Sequence, residues 1–490
     1  MAVRTSPEPA TQTPAPVADL VQRRGHRIDL GVAAGAVVLV LAAGVAPFLL
    51  SYDPRAELDQ TVAPLLANLA PHVGPGTPFA VLIAIATVMW GPLVAARLPW
   101  RRLLGATYAL NLAWSMALAL VDGWTRGFTN NLTSDDEYLA EVPGVRDIPL
   151  MLHEFTSRII DYQPGRWTTH VSAHPPGAFL VYLGLDRIGL GGGTWASVVT
   201  VLIGCSAPVA VLVAVRALAG SGALAGGSAP AGGSALAGGS ALAGNGAPAG
   251  EDLARRAAPF LALAPAAIWV AVSADGMFAG VTAWGIALLA LAATRTTSRP
   301  VWAAVGAGLL LGFGIYLSYG LVLMGLPAIA VLVAARTIRP LLAAVVAALA
   351  VVAVFTALGF WWWEGYLLVV QRYYQGIAAR RPLSYWVWGN VAALVCAVGI
   401  ATPAGVRRAL APSRLRLREG LTLLVLGALA AVAFADVSGL SKSETERIWL
   451  PFGVWLLAAT ALLPPRYQRW WLASGAVIAL AINHLLLTAW

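Results

Sequence analysis

Apolar runs of about 20 residues recur along almost the whole chain, and most of the gaps between them carry arginine. A run of that length matches the hydrocarbon thickness of a bilayer, and within lipid a helix is the element that satisfies its own backbone groups. The expected fold is an all-α polytopic membrane protein of about thirteen transmembrane helices, at roughly 30–50, 78–97, 103–123, 194–217, 257–272, 275–295, 300–315, 316–337, 340–361, 384–403, 420–437, 449–464 and 470–489. A hydrophobic fraction of 59% against 11% charged excludes a soluble globular domain.

Arginine then sets the expected orientation. With the N-terminus cytoplasmic, the inner segments carry Arg23, Arg24 and Arg27; Arg97, Arg101 and Arg102; Arg216 with Arg255 and Arg256; Arg295 and Arg299; Arg336 and Arg339; Arg407, Arg408, Arg414, Arg416 and Arg418; and Arg466 and Arg469. That is the positive-inside bias of an integral cytoplasmic-membrane protein. The net charge of +9 is spent in these short clusters, which excludes a nucleic-acid surface. Cys205 and Cys396 lie inside apolar runs and offer neither a disulfide framework nor a zinc spacing.

Four regions follow. Residues 1–29 read as a disordered cytoplasmic tail, and 30–102 as two N-terminal transmembrane helices. Residues 103–361 form a transmembrane module with a long exoplasmic loop, 124–193, after the third span, and a low-complexity cytoplasmic linker, 219–250. Residues 362–490 hold the C-terminal helices and their exoplasmic basic loops. Pro175–Leu190 is apolar but short, contains Asp186 and Arg187, and would invert every later loop if it crossed, so it reads as interfacial or re-entrant. On the exoplasmic side this leaves Asp53, Glu57 and Asp59, and the acidic run Asp135-Asp136-Glu137.

Chemistry is expected where polarity is costly. Three acids directly after a transmembrane helix are a functional-site candidate, although the same Thr133-to-Glu137 run could cap a surface helix. His170 and His174 are four apart, but Pro175 biases His174 away from helical geometry, which favours substrate contact or loop structure over zinc. Asp275 suits a helix cap as well as a substrate contact. Arg372, Arg380, Arg381, Lys442 and Arg447 are cations on the expected exoplasmic side, against the bias, and they stand among Tyr373, Tyr374 and the Trp361–Trp363 cluster. A phosphate at the membrane surface explains them, since guanidinium holds phosphate oxygens bidentately. Ordinary headgroup contacts, or ion pairs with Glu364, Glu444 and Glu446, are the alternative.

The order of these motifs resembles the GT-C superfamily of membrane glycosyltransferases, such as aminoarabinose transferases and protein O-mannosyltransferases. Asp136-Glu137-Tyr138 is similar to that family's exoplasmic acidic motif, and His174-Pro175-Pro176-Gly177, 38 residues beyond Asp136, to its (Lys/His)-Pro-Pro segment. Arg255 to Ile268 followed by Ser273-Ala274-Asp275 looks like its short helix pair with an outer Asp, and Glu446-Arg447-Ile448-Trp449-Leu450-Pro451 like its late Arg-Tyr-Leu-Leu-Pro segment. The resemblance runs from about Leu103 to the C-terminus. Two spans precede it, no soluble exoplasmic domain follows, and Tyr138 stands directly after the acids, where the family has a spaced Arg-Tyr.

The resemblance implies transfer of a sugar from a polyprenyl-phosphate donor to a glycan or glycolipid acceptor of the cell envelope, on the exoplasmic face and among membrane lipids. The general base is then sought first in Asp136, next in Glu137 and third in Asp135. Arg372, Arg380, Arg381, Arg447 and Lys442 are expected at the donor phosphate, and Tyr138, His170, His174, Asp275, Tyr373 and Glu446 at the substrates. No cofactor or metal is assigned, a divalent cation being left open. The rival class is a transporter or flippase of a lipid-linked sugar. It would gather ionisable groups near the bilayer midplane of two repeated halves, whereas here they collect at span ends.

Overall fold

The computed structural model describes residues 15–49, 62–224, 249–271 and 273–488. The expected exoplasmic acids Asp53, Glu57 and Asp59, the first part of the expected tail and most of the expected linker lie outside the described residues. The chain is a multi-pass integral membrane protein built almost wholly of helices. One two-stranded antiparallel ribbon joins Ala67–Leu69 to Leu486–Thr488.

Among the described residues six helices are long and apolar enough to cross a membrane: Arg24–Leu49, Thr77–Arg97, Gly193–Ala219, Ala274–Thr294, Pro300–Leu317 and Gly420–Val437. Two bent pairs raise the number to eight. The helix Leu341–Ala357 turns by 74° into Trp362–Gln375, and Leu383–Val398 turns by 103° into Ala401–Ala409. Gly359 and Gly399 stand at these bends with φ of +95° and +73°, which a residue with a side chain rarely adopts.

Several expected spans are therefore interrupted. The run 316–337 is divided into the 3₁₀ segment Tyr319–Met324 and the helix Gly325–Ala334. The run 257–272 is divided between Ala249–Ala262 and the short helix Ala267–Val270, with Pro265 between them. The last run unwinds at Leu486 into the ribbon. Hydropathy summed over a window does not see these breaks, because the residues on both sides of each break are equally apolar.

The bundle centres on Ala274–Thr294, which packs against Gly193–Gly204, Ala207–Leu224, Pro300–Leu317 and Leu450–Leu457. Small residues allow the close approach. A side chain at Gly280 would overlap the Ile203 carbonyl, and one at Gly308 would overlap that of Ala344. Buried polar groups tie neighbouring elements together: Asn111 Nδ2 donates to the Ala262 carbonyl at 3.0 Å, and Trp114 Nε1 to that of Ala264 at 3.2 Å.

The 124–193 loop is a folded cap of short helices: Tyr138–Glu141, Ile148–His153, Thr169–Ala173 and Pro176–Arg187. The last of these, 12 residues long, covers the expected interfacial or re-entrant segment. It sits so close to Pro300–Leu317 that a side chain at Gly177 would overlap the Tyr316 carbonyl.

Candidate active site

Polar side chains converge where the cap meets one end of the bundle. The start of Ala274–Thr294, the residues just before Leu383–Val398 and the turn after Gly420–Val437 all come to this end, bringing Asp275, Arg381 and the segment Ser441–Arg447 under the cap.

The acidic run divides by exposure. Asp135 and Asp136 face solvent, and Asp136 accepts from the Thr169 hydroxyl at 2.7 Å. Glu137 is buried. It occupies the N-cap position of Tyr138–Glu141 in an extended conformation, yet its carboxylate does not cap the helix. Instead Oε1 lies 2.9 Å from His170 Nδ1, and Oε2 is buried without a hydrogen-bond partner. A carboxylate oxygen left bare in a low-dielectric site is costly to keep, and it is available to an incoming proton donor.

Beside this pair the Tyr138 hydroxyl is 2.9 Å from His174 Nδ1, which is also 2.9 Å from the His170 carbonyl. A carbonyl only accepts, so His174 carries its proton on Nδ1 and the lone pair on Nε2. Burial, opposed by the carboxylate of Asp275, pushes His174 down to about 4, so the ring is neutral at ordinary pH. Burial, followed by the nearby charge of Glu137, raises the Tyr138 phenol far above its usual range.

The second half of the site is a chain of ions in which Asp275, Arg381 and Arg447 are buried and Glu444 is half-buried. Arg447 donates from Nη1 to Asp275 at 2.6 Å and from Nη2 to Glu444 at 2.5 Å. The other oxygen of Glu444 is 3.6 Å from Arg381 Nη1. Ser273 caps the Asp275 helix, its hydroxyl within 3.1 Å of both the Asp275 amide and the Asp275 carboxylate. Burial alone would lower Arg447, but Glu444, Asp275 and Glu137 together keep it firmly protonated. Burial would raise Glu444, but Arg447 and Arg381 overcome it and hold the carboxyl below its ordinary range. These mutual effects place the Glu137 pair and the Arg447 chain within one electrostatic neighbourhood.

Lys442 is buried alongside, its ammonium donating to the Ala378 carbonyl at 3.1 Å and lying 5.1 Å from the Tyr374 ring centre. The Tyr373 hydroxyl accepts from the Lys442 amide at 2.9 Å. Glu446 turns the other way, lining an apolar cavity with Asn111, Trp449 and Leu450. Its Oε1 accepts from the Leu66 amide at 3.4 Å, its Oε2 is buried without a partner, and burial pushes its carboxyl up to about 7.

Of the expected site residues, Glu137, Tyr138, His170, His174, Asp275, Arg381 and Arg447 thus come together, with Lys442 and Tyr373 at the edge. Arg372 is held apart by an ion pair with Asp161 and donates to the Ser172 hydroxyl at 3.3 Å; Arg380 is exposed. No group of three or more His, Cys, Asp or Glu side chains among the described residues is arranged to hold a metal ion.

Two residues central to the arrangement did not stand out in the sequence. Glu444 figured only as an ion-pair partner, and Asn390 not at all. Asn390 Nδ2 donates to the Ser441 carbonyl and the Asp436 carboxylate, both at 2.8 Å, its Oδ1 accepts from the Ser443 amide at 3.0 Å, and its own carbonyl accepts from the Thr445 hydroxyl at 3.0 Å. A single amide in the apolar run Val387–Ala393 was the available signal, since a buried amide needs partners.

No family model matches the chain, and no curated protein sequence matches it. Among solved structures it is similar to ArnT from Cupriavidus metallidurans in the apo state, with TM-score 0.39 and 17% identity over 73% of this chain and 60% of that one. It is also similar to the Archaeoglobus fulgidus oligosaccharyltransferase in complex with Zn and sulfate, with TM-score 0.38 and 15% identity over 77% of this chain and 51% of that one. The chain thus spans between half and three-fifths of the length of each.

Proposed function

We propose that this protein is a membrane glycosyltransferase that moves a sugar from a polyprenyl-phosphate donor to a hydroxyl of a cell-envelope glycan or glycolipid. The observation that carries the reading is the pairing of two kinds of chemistry in one buried site: a carboxylate with an unengaged oxygen, backed by histidine, and a set of cations able to hold a phosphate.

In the transfer, the bond between the anomeric carbon and the phosphate oxygen breaks and its electron pair stays on that oxygen. The acceptor oxygen forms the new bond to the anomeric carbon, and its proton passes to a base. Glu137 suits that base: Oε2 can take the proton, while His170 at Oε1 orients the carboxylate and steadies its charge. Arg447 and Arg381 suit the leaving lipid phosphate, where charge accumulates and preorganised donors lower the barrier. Such a leaving group needs charge stabilisation more than protonation. Asp136, exposed and bonded to Thr169, is less suited to act on an acceptor under the cap.

The test is transfer of labelled sugar by purified, reconstituted protein from a panel of polyprenyl-phosphate donors. Glu137→Gln should lower the rate by at least about 100-fold, the usual scale of a positioned base, and Asp136→Asn by no more than a few-fold. Loss in Asp136→Asn with Glu137→Gln intact would reverse the assignment. Inert donors, together with passage of the lipid across the same liposomes, would replace the enzyme by a flippase.

A further inference from the structure

The turn that carries Glu444 is unusual on three independent counts. Ser443 and Glu444 are consecutive non-glycine residues in the left-handed region, with φ of +74° and +62°. Such conformations persist where the surroundings impose them, and they gather at functional sites. The imposing group is Asn390, which grips the turn at the Ser441 carbonyl, the Ser443 amide and the Thr445 hydroxyl. Finally, the side chain delivered by this turn spans two guanidinium groups, Glu444 Oε2 at 2.5 Å from Arg447 and Oε1 at 3.6 Å from Arg381. Two oxygens of one anion reaching two arginines is the geometry a phosphate would adopt there.

On the reading of the site as a lipid-phosphate-sugar transferase, we propose that the Glu444 carboxylate occupies the donor-phosphate seat as an internal stand-in, and that the donor binds by displacing it. The charges favour such an exchange. A phosphodiester donor carries one negative charge, as Glu444 does, so one replaces the other between Arg381 and Arg447 without changing the net charge of the seat. After transfer the lipid is a phosphate monoester with a charge of about −1.5 to −2, which those cations hold more tightly. Return of Glu444 to the seat then supplies the competing charge that releases the spent lipid. The seat accepts an anion able to outcompete a tethered carboxylate, which selects phosphate esters over neutral polyprenols. Glu444 is in these terms a positioning residue, acting through the two arginines.

The experiment measures binding of farnesyl phosphate, with farnesol as the neutral control, to the purified full-length chain in detergent by calorimetry. Glu444→Gln should bind the phosphate about tenfold more tightly than wild type, with farnesol unchanged. Glu444→Asp, too short to reach both guanidiniums, should fall between them, and it decides the matter if the glutamine variant does not fold. Arg381→Gln should weaken phosphate binding in both backgrounds. In turnover, Glu444→Gln should lower KM and kcat together, because the product leaves slowly. If Arg381→Gln weakens binding while neither Glu444 variant tightens it, the seat stands and the stand-in falls. If Arg381→Gln leaves phosphate binding unaltered, the phosphate seat and the stand-in fall together.

Discussion

Glu137 and its exposed neighbours Asp135 and Asp136 show what a residue list leaves undecided. All three acids were legible as candidates, because carboxylates beside an apolar run are scarce and expensive. Which one turns inward depends on the extended backbone at Glu137, with φ −96° and ψ 169°, and on the partner that the cap supplies 33 residues later at His170. The same holds for the cations. Arg372, Arg380, Arg381 and Arg447 were alike in the sequence, and what separates them is their partners: Glu444 bridges Arg381 and Arg447, Asp275 holds Arg447, Asp161 holds Arg372, and Arg380 stays exposed. Two buried groups at this scale make opposite predictions for pH. Glu446 titrates near 7 when folded, above its ordinary 4.5, so it adds stability that is complete below about pH 4.5 and lost as the pH rises through about 7. His174 is held near 4 against an ordinary 6.5, so its contribution is complete above about pH 6.5 and lost as the pH falls toward 4. Thermal melting of Glu446→Gln should therefore gain on wild type between about pH 4.5 and pH 7 and level off above that. Parallel curves would show that Glu446 is not buried as described.

The element most exposed to mutation is the short helix Pro176–Arg187, which begins two residues after His174. Its apolar character was legible, and so was its shortness. Its seating was not, because that rests on Gly177 meeting the Tyr316 carbonyl of another helix. Gly177→Ala should cost about 1–3 kcal/mol, the usual penalty for overpacking, read as a lower melting temperature. Because the shift begins beside His174, the proposed sugar transfer should fall more than stability alone accounts for. The bent pairs differ: Gly359 and Gly399 turn the chain by 74° and 103° close to the ends of the apolar runs 340–361 and 384–403, and the helix after each turn is less apolar than the one before it.

Across the whole molecule, the N-terminal helix is fastened at both ends of the bundle. Near its start Asp29, fully buried, accepts from Arg407 and Arg408 at 2.6 and 2.8 Å; near its end the Ala43 carbonyl accepts from the Tyr385 hydroxyl at 2.8 Å. The helix itself is plain in the sequence, but this attachment is not, since arginines between apolar runs carry a topology signal whether or not they also pair. Arg407 and Arg408 do both. Asp29→Ala would leave two partly exposed guanidiniums without their acid, and should cost about 1–3 kcal/mol, less than a fully buried pair because water reaches the arginines. Limited proteolysis should then release the first helix while the remaining bundle stays intact; an unchanged cleavage pattern would mean that packing alone holds it.

The helix Trp362–Gln375 leaves its partner at 74°, buries little more than Gly365, and exposes Trp361, Trp363 and Leu367. It forms a ledge whose exposed tryptophans suit the level where tails meet headgroups, and Arg372 at its far end is moored to the cap through Asp161. For a lipid-borne reactant such a ledge makes the approach lateral, so encounter is a two-dimensional search within a leaflet. On the proposed reading, the quantity that sets turnover is then the number of donors per area of membrane, and adding inert lipid slows the reaction as surely as removing donor.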